Sequence, residues 1–277
     1  MKDKSHLLYH YTSLEVLIHL FAKYTEEHPY LTFWATNCAY MNDPREISEG
    51  IDLVKDALMD IQCPILKERA RVIIENEHIK DAMLIGSAIT SKGVPYAISF
   101  SKNKDNINMW RMYGNNGKGV ALGFKNEEIK IEDGTLDECL YISEKDRESI
   151  INLTKQAFEI ILLNFGNAPK GLSQQEYDFV RSLEAIGLIS ARFKNIVYSY
   201  EREKRIIKYC KQPEFRVANN ILTPYTTIEL PITALESIVV GPDCDERNIN
   251  SVRMFFLSKG LNNLAENIET SQVPFRN

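Results

Sequence analysis

The stretch YSYEREKRIIKYC, residues 198–210, decides how the chain is read. Glu, Arg and Lys are strong helix formers, so a helix through 196–210 is one solution. Ile206, Ile207 and Tyr209 favour a pleated surface instead and predict a strand from Glu203 to Lys208. The choice has a chemical consequence. On a strand spanning 201–208, Glu201 and Glu203 share one face. On a helix they diverge by about 200°. We read the strand. Its paired carboxylates could polarise a hydroxyl and stabilise a developing cation. The same residues also suit a solvated, salt-bridged edge, and charge pattern alone leaves both readings open. Between Arg192 and Arg216 eight basic residues stand against three acidic ones, a local excess of positive charge in a chain whose net charge is -5.

Outward from this stretch the pattern alternates between periods. Ser13 is placed to cap a helix carrying Leu14, Leu17, Ile18 and Phe21. LTFWAT (31–36) reads as a buried strand, and Asn42-Asp43-Pro44 as turn chemistry. Ile47, Ile51, Val54 and Leu58 recur at helical spacing. Pro64 opens a second helical region reaching to about residue 90, broken near Gly86. YAISFS (96–101) is a strand with Tyr96, Ile98 and Phe100 on one face, and Asp105 is expected to cap a short helix. GVALGF and LDECLYIS read as one strand each. Residues 145–166 and 173–194 read as helices, the second opened by a Ser173/Glu176 capping box, with NAPKGL between them as a candidate hinge. FRVAN, LTPYTTIEL and ESIVVG are strands, with a hairpin at Asn219–Asn220. Asp245 caps a closing helix that ends at Gly260, and a short strand near AENIET finishes the chain. Strands and helices do not alternate regularly. The expectation is one α+β domain over 1–277, a mostly antiparallel mixed sheet with flanking helices and helical insertions at about 47–90 and 145–194.

Composition narrows the function. The net charge of -5 lacks the basic footprint of a dedicated nucleic-acid binder. No apolar run is long enough for a membrane span, and MKDKSHLLYHYTS lacks the apolar centre of a signal peptide. Five scattered cysteines without a CxxC pair point to a reducing cytoplasm and away from a disulfide framework. His6 and His10 stand four apart, which on a strand is about 13 Å, too far for one ion, so no metal is expected.

Three further stretches carry candidate chemistry. In YHYTS, His10, Tyr11 and Thr12 sit where a strand gives way to a helix, a place with free backbone N–H groups. The plain alternative is a helix cap beside a core histidine. In WATNCAYMNDPRE, Trp34 and Tyr40 could stack on a nucleobase or nicotinamide, beside Asn42 and Asp43, which equally make an Asx turn. In SFSKNKDNINMWRMYGNNGKG, Ser99 and Ser101 share a strand face and are followed by Trp110, Arg111 and Tyr113. GNNGKG could cradle a phosphate but lacks P-loop spacing and reads also as a plain turn.

Taken in order, YHYTS, FWATNCAYMNDPRE, SFSKNKDNINMWRMYGNNGKGVALGF, YEREKRI and SQVPFR resemble a widespread bacterial domain-of-unknown-function family over nearly the whole chain, excepting mainly the helices at about 50–90 and 145–190. The layout is also similar to that of ADP-ribosyltransferases: an early His beside Thr, a central strand, and a late Glu on a strand. That resemblance implies an NAD-using transferase of the toxin or defence-effector kind, with His10 holding the adenosine ribose, Trp34 or Tyr40 flanking nicotinamide, and Glu203, or else Glu201, as the catalytic carboxylate. A protein or nucleic acid would be the acceptor. The middle of the chain departs from the standard pattern, having neither the second-strand Tyr nor the Ser-Thr-Ser motif. Two other readings stand beside it: a non-catalytic nucleotide- or nucleic-acid-binding module using the 192–216 stretch, and a structural or protein-interaction domain.

Overall fold

The computed structural model describes residues 7–41, 43, 45–75, 92–218 and 220–275. β1 (Leu7–Thr12) leads into α1 (Leu14–Leu20), capped by Ser13, whose Oγ accepts from the Val16 amide at 3.2 Å. β2 (Tyr30–Asn37) precedes α2 (Glu46–Met59) and α3 (Pro64–Ile74). β3 (Val94–Ser101), α4 (Ile107–Met112), β4 (Val120–Lys125), β5 (Gly134–Glu138) and β6 (Leu140–Ile142) follow. Next come α5 (Arg147–Leu163), α6 (Gln174–Ser190) and β7 (Phe193–Asn195). The chain closes with β8 (Glu203–Cys210), β9 (Glu214–Ala218), β10 (Ile221–Pro231), β11 (Leu235–Val240), α7 (Glu246–Ser258), α8 (Asn262–Glu266) and β12 (Glu269–Thr270).

The deciding stretch is a strand from Glu203 onward. β8 pairs antiparallel with β3 along its whole length, from Ser101↔Glu203 to Val94↔Cys210, and with β5 on its other edge. Two ladders and the burial of Ile206 and Ile207 on opposite faces outweigh a helix preference of a few tenths of a kcal/mol per residue. The strand does not extend back to Glu201. Residues Ile196–Glu201 form a 3-10 turn, and Arg202 takes a left-handed backbone, φ 43°, that breaks the alternation between the two carboxylates. They therefore do not share a face by strand periodicity.

β3 divides the sheet. One edge carries β8. The other is shared: β2 meets it at Thr36↔Ala97 and Asn37↔Tyr96, and β1 only at Tyr9↔Ser101. Among the described residues, Ile98 to Phe100 have no ladder partner on that edge, and the sheet forks there. One arm runs β1-β4-β11-β12, the other β2-β10-β9, and the stem is β3-β8-β5. Of these ten strands only β11 and β12 pair in parallel, so the chain is α+β with a mostly antiparallel mixed sheet. β6 and β7 form a separate parallel pair.

Each face of the sheet has its own core. Phe33, Ile98, Phe100, Phe124 and Ile206 pack under α1 and α7. On the opposite face Ala97 and Ile207 are covered by α2, α3, α5 and α6. The two helical stretches expected as insertions thus make one layer, tied by Arg69 to Asp178 at 3.3 Å and by Lys155 to Asp60 at 2.7 Å. Ile47, Ile51, Val54 and Leu58 are all buried, as their spacing required. Gly50 lets α2 approach α6 closely, since a Cβ there would stand 2.8 Å from Ser190 Cα.

Some local expectations change. LDECLYIS is two strands, broken at Cys139, whose amide donates to the Glu203 carbonyl at 3.0 Å; β5 then joins β8 while β6 leaves to join β7. Asn106, and not Asp105, caps α4. Asp105 accepts the Trp110 indole N–H at 2.6 Å and the Gln272 amide at 2.7 Å, which docks the C-terminal segment. The β9–β10 hairpin forms, with Asn220 at φ 61° in its turn. Asn42, Pro44, Asn219 and the region around Gly86 lie outside the described residues.

Candidate functional site

A cavity of about 660 Å³ opens at the fork, within the roughly 300–1,000 Å³ of small-molecule sites. His10 stands at its apex. Its Nδ1 lies 3.0 Å from the Ser99 carbonyl, an acceptor that the split ladder leaves without a strand partner. A carbonyl only accepts, so Nδ1 carries the proton and Nε2 is left as an acceptor. The ring packs edge-on to Phe33, centroids 5.2 Å apart, and leans on Phe100. Burial pushes its pKa below the usual value, the Ser99 bond offsetting this in part. The side chain is a neutral, fixed imidazole.

The wall formed by the stem and α2 is ionic. Arg205 Nε donates to Glu203 at 2.7 Å, its Nη2 to Glu46 at 2.7 Å, and its Nη1 to the Ala191 carbonyl at 2.8 Å. Lys194 donates to Glu203 at 2.6 Å and to Glu201. Tyr113 donates to the other Glu201 oxygen at 3.0 Å. None of these five charged side chains is more than 6% exposed. Three carboxylates share two cations, so the cluster carries an excess negative charge when all are ionised. Burial raises the pKa of Glu46 and of Glu201 despite their cationic neighbours. Burial would raise Glu203 too, but Arg205 and Lys194 on both its oxygens hold it far below the usual carboxylate range. Glu203 is the anchored anion, and Glu46 and Glu201 hold their protons more readily than it does.

The opposite wall belongs to the β2-β10-β9 arm and is aromatic. Trp34 is flanked by His19, centroids 5.0 Å apart, and by Tyr225 at 5.4 Å. Arg216 lies over Trp34 at 5.2 Å and over Tyr225 at 5.9 Å.

Of the residues singled out in the sequence, His10, Tyr11, Thr12, Trp34, Tyr40, Asp43, Ser99 and Tyr113 line this cavity. Asp43 also makes the expected Asx turn, accepting the Arg45 amide at 3.0 Å. Five candidates have other surroundings, among them Glu201, held by Lys194 and Tyr113. Trp110 is buried against Tyr11 and bonded to Asp105. Arg111 stacks on Phe275. Ser101 donates to the Glu201 carbonyl and accepts the Asn103 amide, holding the turn before β8. Glu203 stands behind Lys194 and Arg205, which reach the cavity lining while Glu203 does not. The 192–216 stretch is not one basic surface, since Lys194 and Arg205 are buried within the ion cluster. Glu46 and Arg205 end the stretches Trp34–Glu46 and Glu201–Arg205 that the sequence singled out, while Lys194 and Arg216 were not singled out as cavity residues. The oddly high charge of 192–216 was the available signal, and it pointed to the right segment.

Residues 109–206 match the family model described as Protein of unknown function (DUF2971), consistent with a domain-of-unknown-function family. The match includes Tyr113, Lys194, Glu201, Glu203 and Arg205 and leaves YHYTS, NDPRE and SQVPFR outside it. Comparison with curated proteins and with solved structures gave no match. No helix among the described residues is long and apolar enough to cross a membrane.

Proposed function

We propose that the fork cavity binds NAD and that the ion cluster promotes cleavage of the bond between nicotinamide and ribose, passing ADP-ribose to an acceptor. The observation that carries this reading is the buried ion cluster behind the cavity wall, in which Glu46, Glu201 and Glu203 outnumber Lys194 and Arg205. When the C1′–N bond breaks, its electron pair leaves with neutral nicotinamide and positive charge develops on the ribose. A buried, oriented negative charge stabilises that state more than it stabilises bound NAD, which is the condition for catalysis. Glu203 supplies the permanently ionised centre. Glu46 and Glu201 flank it, and Glu46 is the carboxylate of the cluster that reaches the cavity lining. His10, held neutral, offers Nε2 to a ribose hydroxyl. Trp34 and Tyr40 provide aromatic faces for a base.

The test is nicotinamide release from NAD labelled in the nicotinamide ring, with and without cell extract as a source of acceptors. Glu203→Gln and Glu46→Gln keep size and remove charge. Each is expected to lower release about 10²–10³-fold, with far-ultraviolet circular dichroism unchanged. Wild-type rates in both variants would overturn the assignment.

A second reading keeps the ligand and drops the chemistry. The stacked Arg216–Trp34–Tyr225 wall suits a nucleotide whether or not it is cleaved. Saturable nucleotide binding by wild type without any nicotinamide release would favour it.

A further inference from the structure

Arg216 is chemically unfinished. It reaches from β9 across β10, where Nη2 donates to Thr36 Oγ1 on β2 at 2.8 Å. The guanidinium lies against both Trp34 and Tyr225, 5.2 Å and 5.9 Å from their ring centroids. Its Nε is buried and has no hydrogen-bond partner among the described residues. No carboxylate among them lies within ion-pair distance of it. Thr32, two steps before Trp34 on the same face of β2, also lines the cavity, and its buried Oγ1 is likewise unpartnered. A guanidinium has five donors and no acceptor, and a desolvated cation normally finds an anion. The two buried cations of the cavity, Lys194 and Arg205, have their carboxylates, while the half-buried Arg216 has none among the described residues.

We infer that Arg216, with the hydroxyl of Thr36, forms a subsite for a phosphoryl group of the nucleotide bound in the fork. This deepens the reading above and rests on it for the nucleotide. The chemistry is complementary. Phosphoryl oxygens only accept, and the planar fork of Arg matches two of them at once. The stacking on Trp34 fixes the guanidinium plane before the ligand arrives, so little side-chain freedom is lost on binding. The two walls then have opposite tasks: the arm that bears Arg216 neutralises the anionic part of the ligand, and the stem presents negative charge to the part that becomes cationic.

The experiment titrates the full chain with adenosine, ADP and inorganic pyrophosphate, followed by tryptophan fluorescence. The chain has two tryptophans, and Trp34 is the one in the cavity. ADP is expected to bind wild type at least ~10-fold more tightly than adenosine, in keeping with charge-assisted hydrogen bonds, and added salt should weaken ADP but not adenosine. Arg216→Gln should remove the difference and leave adenosine binding unchanged. Arg216→Lys should restore only part of it, because an ammonium lacks the fork. Thr36→Val should fall between wild type and Arg216→Gln. Equal affinity of wild type for ADP and adenosine, or no binding of either, overturns the inference. So does unchanged ADP affinity in a folded Arg216→Gln protein. If that variant unfolds, the wild-type comparison and Thr36→Val decide. ADP selectivity without nicotinamide release would leave the phosphoryl subsite standing and remove the cleavage reading.

Discussion

His10 Nδ1 lies 3.0 Å from the Ser99 carbonyl, and this bond falls on the stretch of β3 edge between its pairings with β2 and β1, which neither strand covers. A histidine side chain does there what a strand does elsewhere. The ring is thereby turned and its tautomer set at the point where the cavity is deepest in the sheet.

Because burial lowers the His10 pKa below its model value of 6.5, the folded state resists the proton that the unfolded state takes up. The stability that His10 contributes is present above about pH 6.5 and is lost as the pH falls below it. His10→Phe should therefore lose less stability than wild type between about pH 7.5 and about pH 5.5, in urea unfolding at each pH. Parallel slopes for the two proteins would contradict a neutral buried imidazole. His10→Ala should weaken NAD binding with only a small fall in melting temperature; a large fall with unchanged affinity would make the ring a packing element alone.

Lys194→Met should destabilise by about 3–5 kcal/mol, since it leaves buried carboxylates with Arg205 alone. Adding Glu201→Gln should recover part of the loss by removing the carboxylate that Lys194 served. Calorimetry or urea unfolding of the two single variants and the double variant measures the coupling. A purely additive double variant would show that the cluster is not an energetic unit.

Glu203 is held ionised, so its contribution to stability is present above the ordinary carboxylate range and lost as the pH falls towards its depressed folded value. In Glu203→Gln the acid limb of the stability profile, below about pH 4.5, should flatten relative to wild type. Unfolding followed by circular dichroism from neutral to acid pH checks this, and identical acid limbs would contradict the pairing with Arg205 and Lys194.

Gly50→Ala should cost about 1–3 kcal/mol, the usual price of overpacking, because the added Cβ meets the Ser190 backbone at 2.8 Å and α2 and α6 must part. The urea midpoint should fall with little change in slope. A neutral outcome would mean that the helix layer yields freely.

The sequence by itself determined the local structure. The strand at Glu203–Cys210, the buried face of α2, the Ser173/Glu176 capping box and the helix begun at Asp245 are legible because neighbouring residues decide them through period, propensity and capping. The same reasoning placed His10, Trp34, Ser99 and Tyr113 near a site, since aromatic and polar groups were dense around them. It misjudged Glu201, which a left-handed Arg202 moves out of the strand's alternation, and Trp110, whose size puts it in the core. Only the tertiary structure decided that β3 shares one edge between β1 and β2, and so that the sheet opens into a cavity. It alone brought Glu46 to Arg205, 159 residues apart, and carried Arg216 across β10 to Thr36. Periodicity reports which face of an element is apolar, but which distant charges meet on that face depends on how the strands close, and no local pattern of residues encodes that closure.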